Sequence, residues 1–466
     1  MRIENIKLSP FEFRSITDYE SAIEVNEHGY AKVTGIVNSE QKDKAMSMLL
    51  DEVWGSIIGT DQNGNSLPLF QGVVTNVQVQ KKDDTYILTV ELKTGTFLMD
   101  TKEHIRVYQS GSTSYNTVHK NMLANYLEGE CLMAEQGIQL EEMVVQYYET
   151  DWEFAKRLAS RRNTVIFPNE KSIGVKYTFG LKEGVAGKLN SYNNLQIIKN
   201  VGQYQYKKQN GINAAEEIDE IAYMVKSREV FYVGDTVELL GKNYLVEKVY
   251  RKWNKKELWN EYTLKSEKGF SQITYYNKKI IGASLKGRVT NVSKDKVEII
   301  VPADENKNNG GRRLFDYATV YSSPDGSGWY CMPEKDDWVQ LQFPDEREAN
   351  AYVSSSVNVE PADSMARSNP DYKSIKNVQG KEILITPKSL VMTNNKGMTI
   401  TIDDDEGIKV ESDKDIILKA KETIGVISEE QTIQMLAAQQ ILMQQSNTKL
   451  ELAETISMSG GQVNMQ

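Results

Sequence analysis

The sequence predicts a mainly β, multidomain protein that ends in an intertwined three-chain β-helix. Three observations predict this. The chain has 466 residues, room for about three domains that each bury a core. Short alternating runs broken by turn residues fill most of the first 358 positions. The last ninety repeat at steps of six to nine residues, most often eight. Apolar residues at 39%, aromatic at 9% and charged at 26% exclude a disordered, collagen-like or disulfide-built chain. Cys131 and Cys331 are the two cysteines, as expected of a protein made in a reducing compartment. The opening MRIENIKLSP lacks the apolar core of a signal peptide, so synthesis in the cytoplasm without one is expected. A net charge of -10 argues against a nucleic-acid partner.

Residues 1–110 alternate most plainly at 69–79 and 86–92 and are expected to form a first β-barrel. Residues 111–165 are expected as a helical insert, with one helix over 117–127 and a second opened by the capping box Thr150-Asp-Trp-Glu153. That second helix points Trp152, Ala155 and Leu158 to a core, and Lys156, Arg157, Arg161 and Arg162 to solvent. Strand-like runs at 174–179, 236–247 and 258–264 place a second barrel over 166–278. Between 279 and 358, runs at 285–289, 297–301, 317–321, 329–332, 338–343 and 351–357 suit a five-stranded OB-fold barrel. Its Lys286, Arg288, Lys294, Lys296, Arg312 and Arg313 are offset by Asp336, Asp337, Asp345, Glu346 and Glu348, so it reads as a structural adaptor.

A linker over 359–379 leads to the spike-like repeat at 380–466. From Lys373 onward there is no Phe, Tyr, Trp, His, Cys or Arg. Apolar residues instead pair at i and i+2: Ile400/Ile402, Ile408/Val410, Ile416/Leu418, Ile424/Val426, Ile433/Met435, Ile441/Met443, Leu450/Leu452, Ile456/Met458 and Val463/Met465. Each pair shares one face of a strand, and the step repeats the strand with a corner between copies. Two inward side chains per step cannot enclose a core in one chain, so burial against two sister chains is expected, in a lumen too narrow for rings. With no Asn-Gly or Asp-Gly in the repeat, hairpins within the chain are not expected. Residues 429–445 suit a helix by composition, but the repeat continues through them and strand is expected.

Catalytic and metal signatures are missing. His28, His104 and His119 are scattered, with no Cys or His at ligand spacing. Asp403, Asp404, Asp405 and Glu406 read as a solvated turn rather than a calcium loop. Gly184-Val-Ala-Gly187-Lys188 lacks the first glycine and the hydroxyl residue of a phosphate loop. No catalytic residue, cofactor or metal is therefore assigned.

The order of parts resembles the VgrG family, the spikes of type VI secretion, and equally the fused hub and spike of contractile phage tails and phage-like bacteriocins. Pro68-Leu-Phe-Gln-Gly-Val-Val74 is similar to that family's Phe-x-Gly-x-Val strand, and Ile105-Arg-Val-Tyr-Gln109 to its Arg-Ile-Phe-Gln segment. The most specific match is the run from Val145 to Leu158, which resembles Gln-Tyr-x-Glu-(Ser/Thr)-Asp-x-x-Phe-x-x-Arg-Leu through Gln146, Tyr147, Glu149, Asp151, Phe154, Arg157 and Leu158. In the small barrel, Ser327-Gly-Trp-Tyr-Cys-Met-Pro333 and Asp337-Trp-Val-Gln-Leu-Gln-Phe343 are also similar. Asp336-Asp337 stands where the family has Gly-Asp, and the repeat lacks its Val-Gly phrase.

The resemblance implies a homotrimeric hub of two barrels per chain that adapts a hexameric inner tube to a threefold needle, which punctures the target envelope on sheath contraction. It implies baseplate wedge proteins as neighbours, and a tip protein of the PAAR type seated at Met458, Val463 and Met465. It further implies assembly into the baseplate followed by release or ejection toward the target cell, and a mechanical part rather than an enzyme. The rival expectations are a trimeric host-surface-binding tail fibre and a cell-wall-degrading tail protein.

Overall fold

The computed structural model describes residues 3–48, 52–181, 186–254, 257–359 and 367–452, and the chain divides into two compact units, Met1–Val359 and Glu360–Gln466. The first unit opens with β1 (Ile3–Ser9), β2 (Ser15–Glu24), β3 (Tyr30–Val37), α1 (Ser39–Ser47), β4 (Trp54–Asp61), β5 (Ser66–Lys82) and β6 (Thr85–Lys93). An insert follows: β7 (Glu103–Tyr108), α2 (Tyr115–Leu123), β8 (Glu130–Met133), β9 (Val144–Thr150), α3 (Asp151–Arg161), β10 (Ile166–Pro168) and β11 (Lys176–Phe179). Then come β12 (Ala186–Lys188), β13 (Asn193–Lys199), α4 (Val201–Gln209), β14 (Ile221–Ser227), β15 (Thr236–Leu239), β16 (Lys242–Asn254) and β17 (Glu257–Lys265).

The strands before and after the insert repeat one arrangement. The first half has the order β1-β4-β5-β6-β3-β2, and the second β12-β15-β16-β17-β14-β13. The registers correspond residue by residue. Val77 faces Val90, which faces Val33, and in the second half Val249 faces Tyr262, which faces Val225. Even the bulge recurs, between Val74 and Asn76 in β5 and between Val246 and Lys248 in β16. The halves differ at the outer strand: β1 runs antiparallel to β4, whereas β12 runs parallel to β15. The expectation is two barrels flanking the insert. Instead β2 bonds to β16 from Lys248 to Trp253, the stretch that β15 leaves open, and one twelve-stranded sheet results. Tyr19, Val33, Phe70, Val90, Val249, Trp253 and Tyr262 share its core.

The insert has its own core, in which Trp152, Phe154 and Leu158 of α3 pack with Tyr177 and Phe179 of β11. The run at 174–179, expected in the second barrel, therefore belongs to the insert, where β11 pairs with β10 and β8. Both expected helices form, the first over Tyr115–Leu123 rather than 117–127. Ser114 caps α2 at the Thr117 amide, and Thr150 and Glu153 bond reciprocally at the start of α3, at 3.1 Å each way.

The unit closes with β18 (Ser284–Ser293), β19 (Lys296–Ile300), β20 (Phe315–Ala318), β21 (Trp338–Gln342) and β22 (Tyr352–Val357), a closed barrel of order β18-β19-β20-β22-β21. No helix among the described residues is long and apolar enough to cross a membrane.

In the second unit, β23 (Lys373–Lys376), β24 (Glu382–Ile385), β25 (Ser389–Thr393), β26 (Met398–Asp403) and β27 (Gly407–Ser412) form an antiparallel meander. This corrects the expectation of strands unpaired in their own chain from 380 to 412. The reason is turn chemistry other than Asn-Gly or Asp-Gly. Loops beginning at Asn377, Asn394 and Asp403 end at Gly380, Gly397 and Gly407, with φ of 80°, 81° and 82°, the left-handed conformation that glycine adopts freely. Asp403 accepts the Asp405 and Glu406 amides, which hold its carboxyl below the usual range, so the acidic run is a turn.

From 413 to 440 the meander stops. Segments at 415–420, 423–428 and 432–437 that belong to no helix or strand alternate with bends of two or three residues, and none of them pairs with a strand among the described residues. No helix forms at 429–445. β28 (Ile441–Gln445) and β29 (Thr448–Leu452) then pair as a hairpin.

Candidate functional site

The residues singled out by the 145–158 motif converge where the insert meets the small barrel. β7 and β9 pair antiparallel, Val107 opposite Val145 and Tyr108 opposite Val144. Side chains of a strand alternate between faces, so this ribbon serves two cores. Val107 and Val145, with Met143, enter the barrel core, while Tyr108 and Val144 enter the insert core. A bulge at Tyr148, with φ of 47°, shifts the register between Tyr147 and Glu149. Tyr147 packs against the barrel core and Glu149 turns toward α3.

The polar members form a buried network. Arg157 Nε and Nη2 donate to the two carboxylate oxygens of Glu149, each at 2.7 Å. Its Nη1 donates to Glu348 Oε1 at 2.7 Å, and Nη2 also to the Val145 carbonyl at 2.7 Å. Glu348 lies in a single helical turn of the barrel, 0% exposed, and its second oxygen accepts from Arg161 at 2.6 Å. Burial pulls the Arg157 guanidinium down, but Glu149 and Glu348 outweigh it and hold the pKa above its ordinary value.

A second cluster adjoins. Asp151, the first residue of α3, accepts from Arg106, from Gln146 at 2.9 Å and from the Tyr126 hydroxyl at 2.9 Å. A carboxylate there also suits the positive end of the helix. His104 Nδ1 lies 2.6 Å from Glu305 of the barrel. Burial raises the Glu305 carboxyl, yet the His104 bond and the Ile105 amide bring it below its usual range. Asp304 accepts the Val107 amide at 2.9 Å. At Gly310 the backbones are so close that a Cβ would sit 2.1 Å from the Val107 carbonyl oxygen.

All seven motif residues are thus brought together, with Phe154 and Leu158 filling the insert core. Two sequence expectations are corrected. Arg157, 3% exposed, and Arg161 face the barrel's Glu348 rather than solvent. Glu348 accordingly does not offset surface lysines. Sequence reading missed Arg106, Asp304, Glu305 and Glu348 as members of the joint. Arg106 lay within a motif already matched, but nothing local separates Glu348 from its neighbour Glu346.

The arrangement is a clasp between the insert and the barrel. Both Glu149 oxygens are committed to Arg157, which leaves that carboxylate unsuited to proton transfer. Among the described residues no group of three or more His, Cys, Asp or Glu could hold a metal ion.

The tail residues fall into three settings. Across the meander, Ile375, Ile383, Met392, Ile400 and Val410 stand opposite one another, as do Ile385, Leu390, Ile402 and Ile408. They form one apolar face that nothing in the chain covers among the described residues. Ile416, Leu418, Ile424, Val426, Ile433 and Met435 lie exposed on the segments that follow it. In the hairpin, Ile441 faces Leu452 and Met443 faces Leu450. Ile456, Met458, Val463 and Met465 lie outside the described residues.

No family model matches the sequence, and no curated protein matches it. Solved structures do match in fold. A component of the Escherichia coli type VI secretion system, described as structurally similar to the T4 bacteriophage tail proteins gp27 and gp5, aligns with a TM-score of 0.53 at 12% identity, covering 76% of this chain and 100% of that one. The half-lidded Francisella PdpA-VgrG complex aligns with a TM-score of 0.54 at 11% identity, covering 88% of each chain. Its lidded form aligns with a TM-score of 0.52 at 10% identity, covering 85% and 76%. The chain shares the mainly β, multidomain fold of these structures.

Proposed function

We propose that the protein is the homotrimeric hub and spike of a contractile injection machine. One observation carries the reading: the repeat presents apolar side chains that no described residue of its own chain covers. Across the meander and the segments that follow it, Ile400, Ile402, Ile408, Val410, Ile416, Leu418, Ile424, Val426, Ile433 and Met435 are uncovered. An exposed apolar row of this length marks an interface. Three meanders packed face to face, followed by extended segments that bond between chains at eight- or nine-residue steps, would bury it and make a stiff needle. The hub fold and the twofold internal repeat of the first unit support an adaptor that presents six similar elements, from three chains, to a hexameric inner tube.

On this reading the protein is a mechanical part and not an enzyme, built into a baseplate beside wedge proteins. Met458, Val463 and Met465 would receive a PAAR-type tip protein. Light scattering on the purified chain tests the reading: the expected mass is three times the 52.9 kDa chain, and a monomer at micromolar concentration overturns it.

A further inference from the structure

Arg251 of β16 lies where the first half, the insert and the second half of the first unit meet, and it is 0% exposed. It stands opposite Ser21 of β2, while Glu170, 2% exposed, enters from the segment that follows β10. The Glu170 carbonyl accepts the Gln71 amide of β5 at 2.8 Å, which ties that segment to the first half. A buried ion pair is stable only when its remaining donors and acceptors are satisfied as well.

Here they are not satisfied by protein groups. Arg251 Nη2 donates to the Phe231 carbonyl at 2.8 Å, and its approach to Glu170 Oε1 is 3.7 Å, beyond hydrogen-bond length. Nε and Nη1 of Arg251 and Oε1 of Glu170 have no partner among the described residues. The hydroxyls that surround the guanidinium are committed elsewhere: Tyr19 with Ser21 at 2.8 Å, Tyr232 to the Pro68 carbonyl at 2.6 Å and Tyr262 to the Glu229 carbonyl at 2.6 Å. The clasp gives the contrast. There Arg157 meets Glu149 directly through two bonds, whereas at Glu170 burial outweighs the attraction of Arg251 and raises the carboxyl above its usual range.

We propose that Arg251 and Glu170 hold an enclosed water between them. The chemistry selects the ligand. The guanidinium presents donors that need an acceptor, Glu170 Oε1 is an acceptor that needs a donor, and a water molecule is both. An anion would meet the charges of Glu170 and Asp235, and a cation that of Arg251. Two atoms 3.7 Å apart can each reach one oxygen beside the line that joins them at about 2.8 Å. Enclosed waters make about three hydrogen bonds to groups otherwise left unpaired, and the guanidinium can supply two of them. The water thus completes the contact of the insert with the second half at the point where both touch the first.

A crystal structure of the full-length chain, soaked in bromide and at a resolution that shows ordered water, tests this. One solvent peak is expected at about 2.7–3.2 Å from Glu170 Oε1 and from a guanidinium nitrogen of Arg251, with no bromide signal. The absence of a peak overturns the inference, whether the two side chains bond directly or stay apart. Bromide at the site overturns it too, in favour of an anion. Crystals of the double variant Arg251→Met, Glu170→Leu should lack the peak, because apolar side chains give water no partner. A peak that persists there is held by other groups, and the assignment to this pair fails. The wild-type crystal alone decides the matter if that variant does not fold.

Discussion

Glu348 shows how much can hang on one side chain. It sits in the barrel, yet both its oxygens are held by arginines of the insert. Removing one partner of a buried pair leaves the other charged and desolvated, at a cost of about 3–5 kcal/mol. Glu348→Ala and Arg157→Ala should each lower the thermal midpoint by several degrees, and the double variant should lose much less than the sum of the two. Additive losses would show that the two residues act independently. His119 sets a different prediction. It is buried, and desolvation lowers its pKa to about 3, with Nδ1 2.7 Å from the Tyr177 hydroxyl. The unfolded chain takes up that proton below about 6.5, so between pH 6.5 and 3 the unfolded state binds more protons and stability falls as pH falls, by at most about 1.4 kcal/mol per pH unit. His119→Gln should flatten that slope in melting curves recorded from pH 7 to 4. An unchanged slope would mean that His119 is not its source.

At the scale of elements, the tail separates what a repeat reveals from what it hides. The i, i+2 spacing of Ile400 with Ile402 and of Ile408 with Val410 correctly put each pair on one strand face. It could not say whether those strands bond within the chain or between chains, because burial on one face is the same pattern in both. Turns decided that, through Asn or Asp several residues ahead of a left-handed glycine rather than adjacent to it. The clasp was half legible for a similar reason. Arg157 sits at a helical position where spacing alone suggests solvent, and only the barrel's later approach makes it interior. In the segments after the meander neighbouring side chains should differ in consequence. In the proposed trimer Ile424 and Val426 would belong to the inward pairs, whereas Ile427 and Leu436, 84% and 93% exposed, would fall between them. The proposed trimer is expected to resist SDS without heating; Val426→Asp should abolish that resistance, and Leu436→Ser should leave it intact. Equal effects would remove the distinction between the two faces.

For the whole molecule, the surface that calls for copies of the same chain is the tail. The i, i+2 pairs of the tail offer ten apolar side chains between Ile400 and Met435, at about 1.5–3 kcal/mol for each one fully buried before ordering entropy is subtracted. The tail should therefore hold the assembly together. A chain ending at Val359 keeps all three cores of the first unit, so it should fold, but without the tail it should associate only at high concentration. Sedimentation over a hundredfold dilution should show that truncated form passing from oligomer to monomer while the full chain stays assembled. If both dissociate together, the tail contributes nothing to cohesion, and the uncovered face of the meander must serve some other contact.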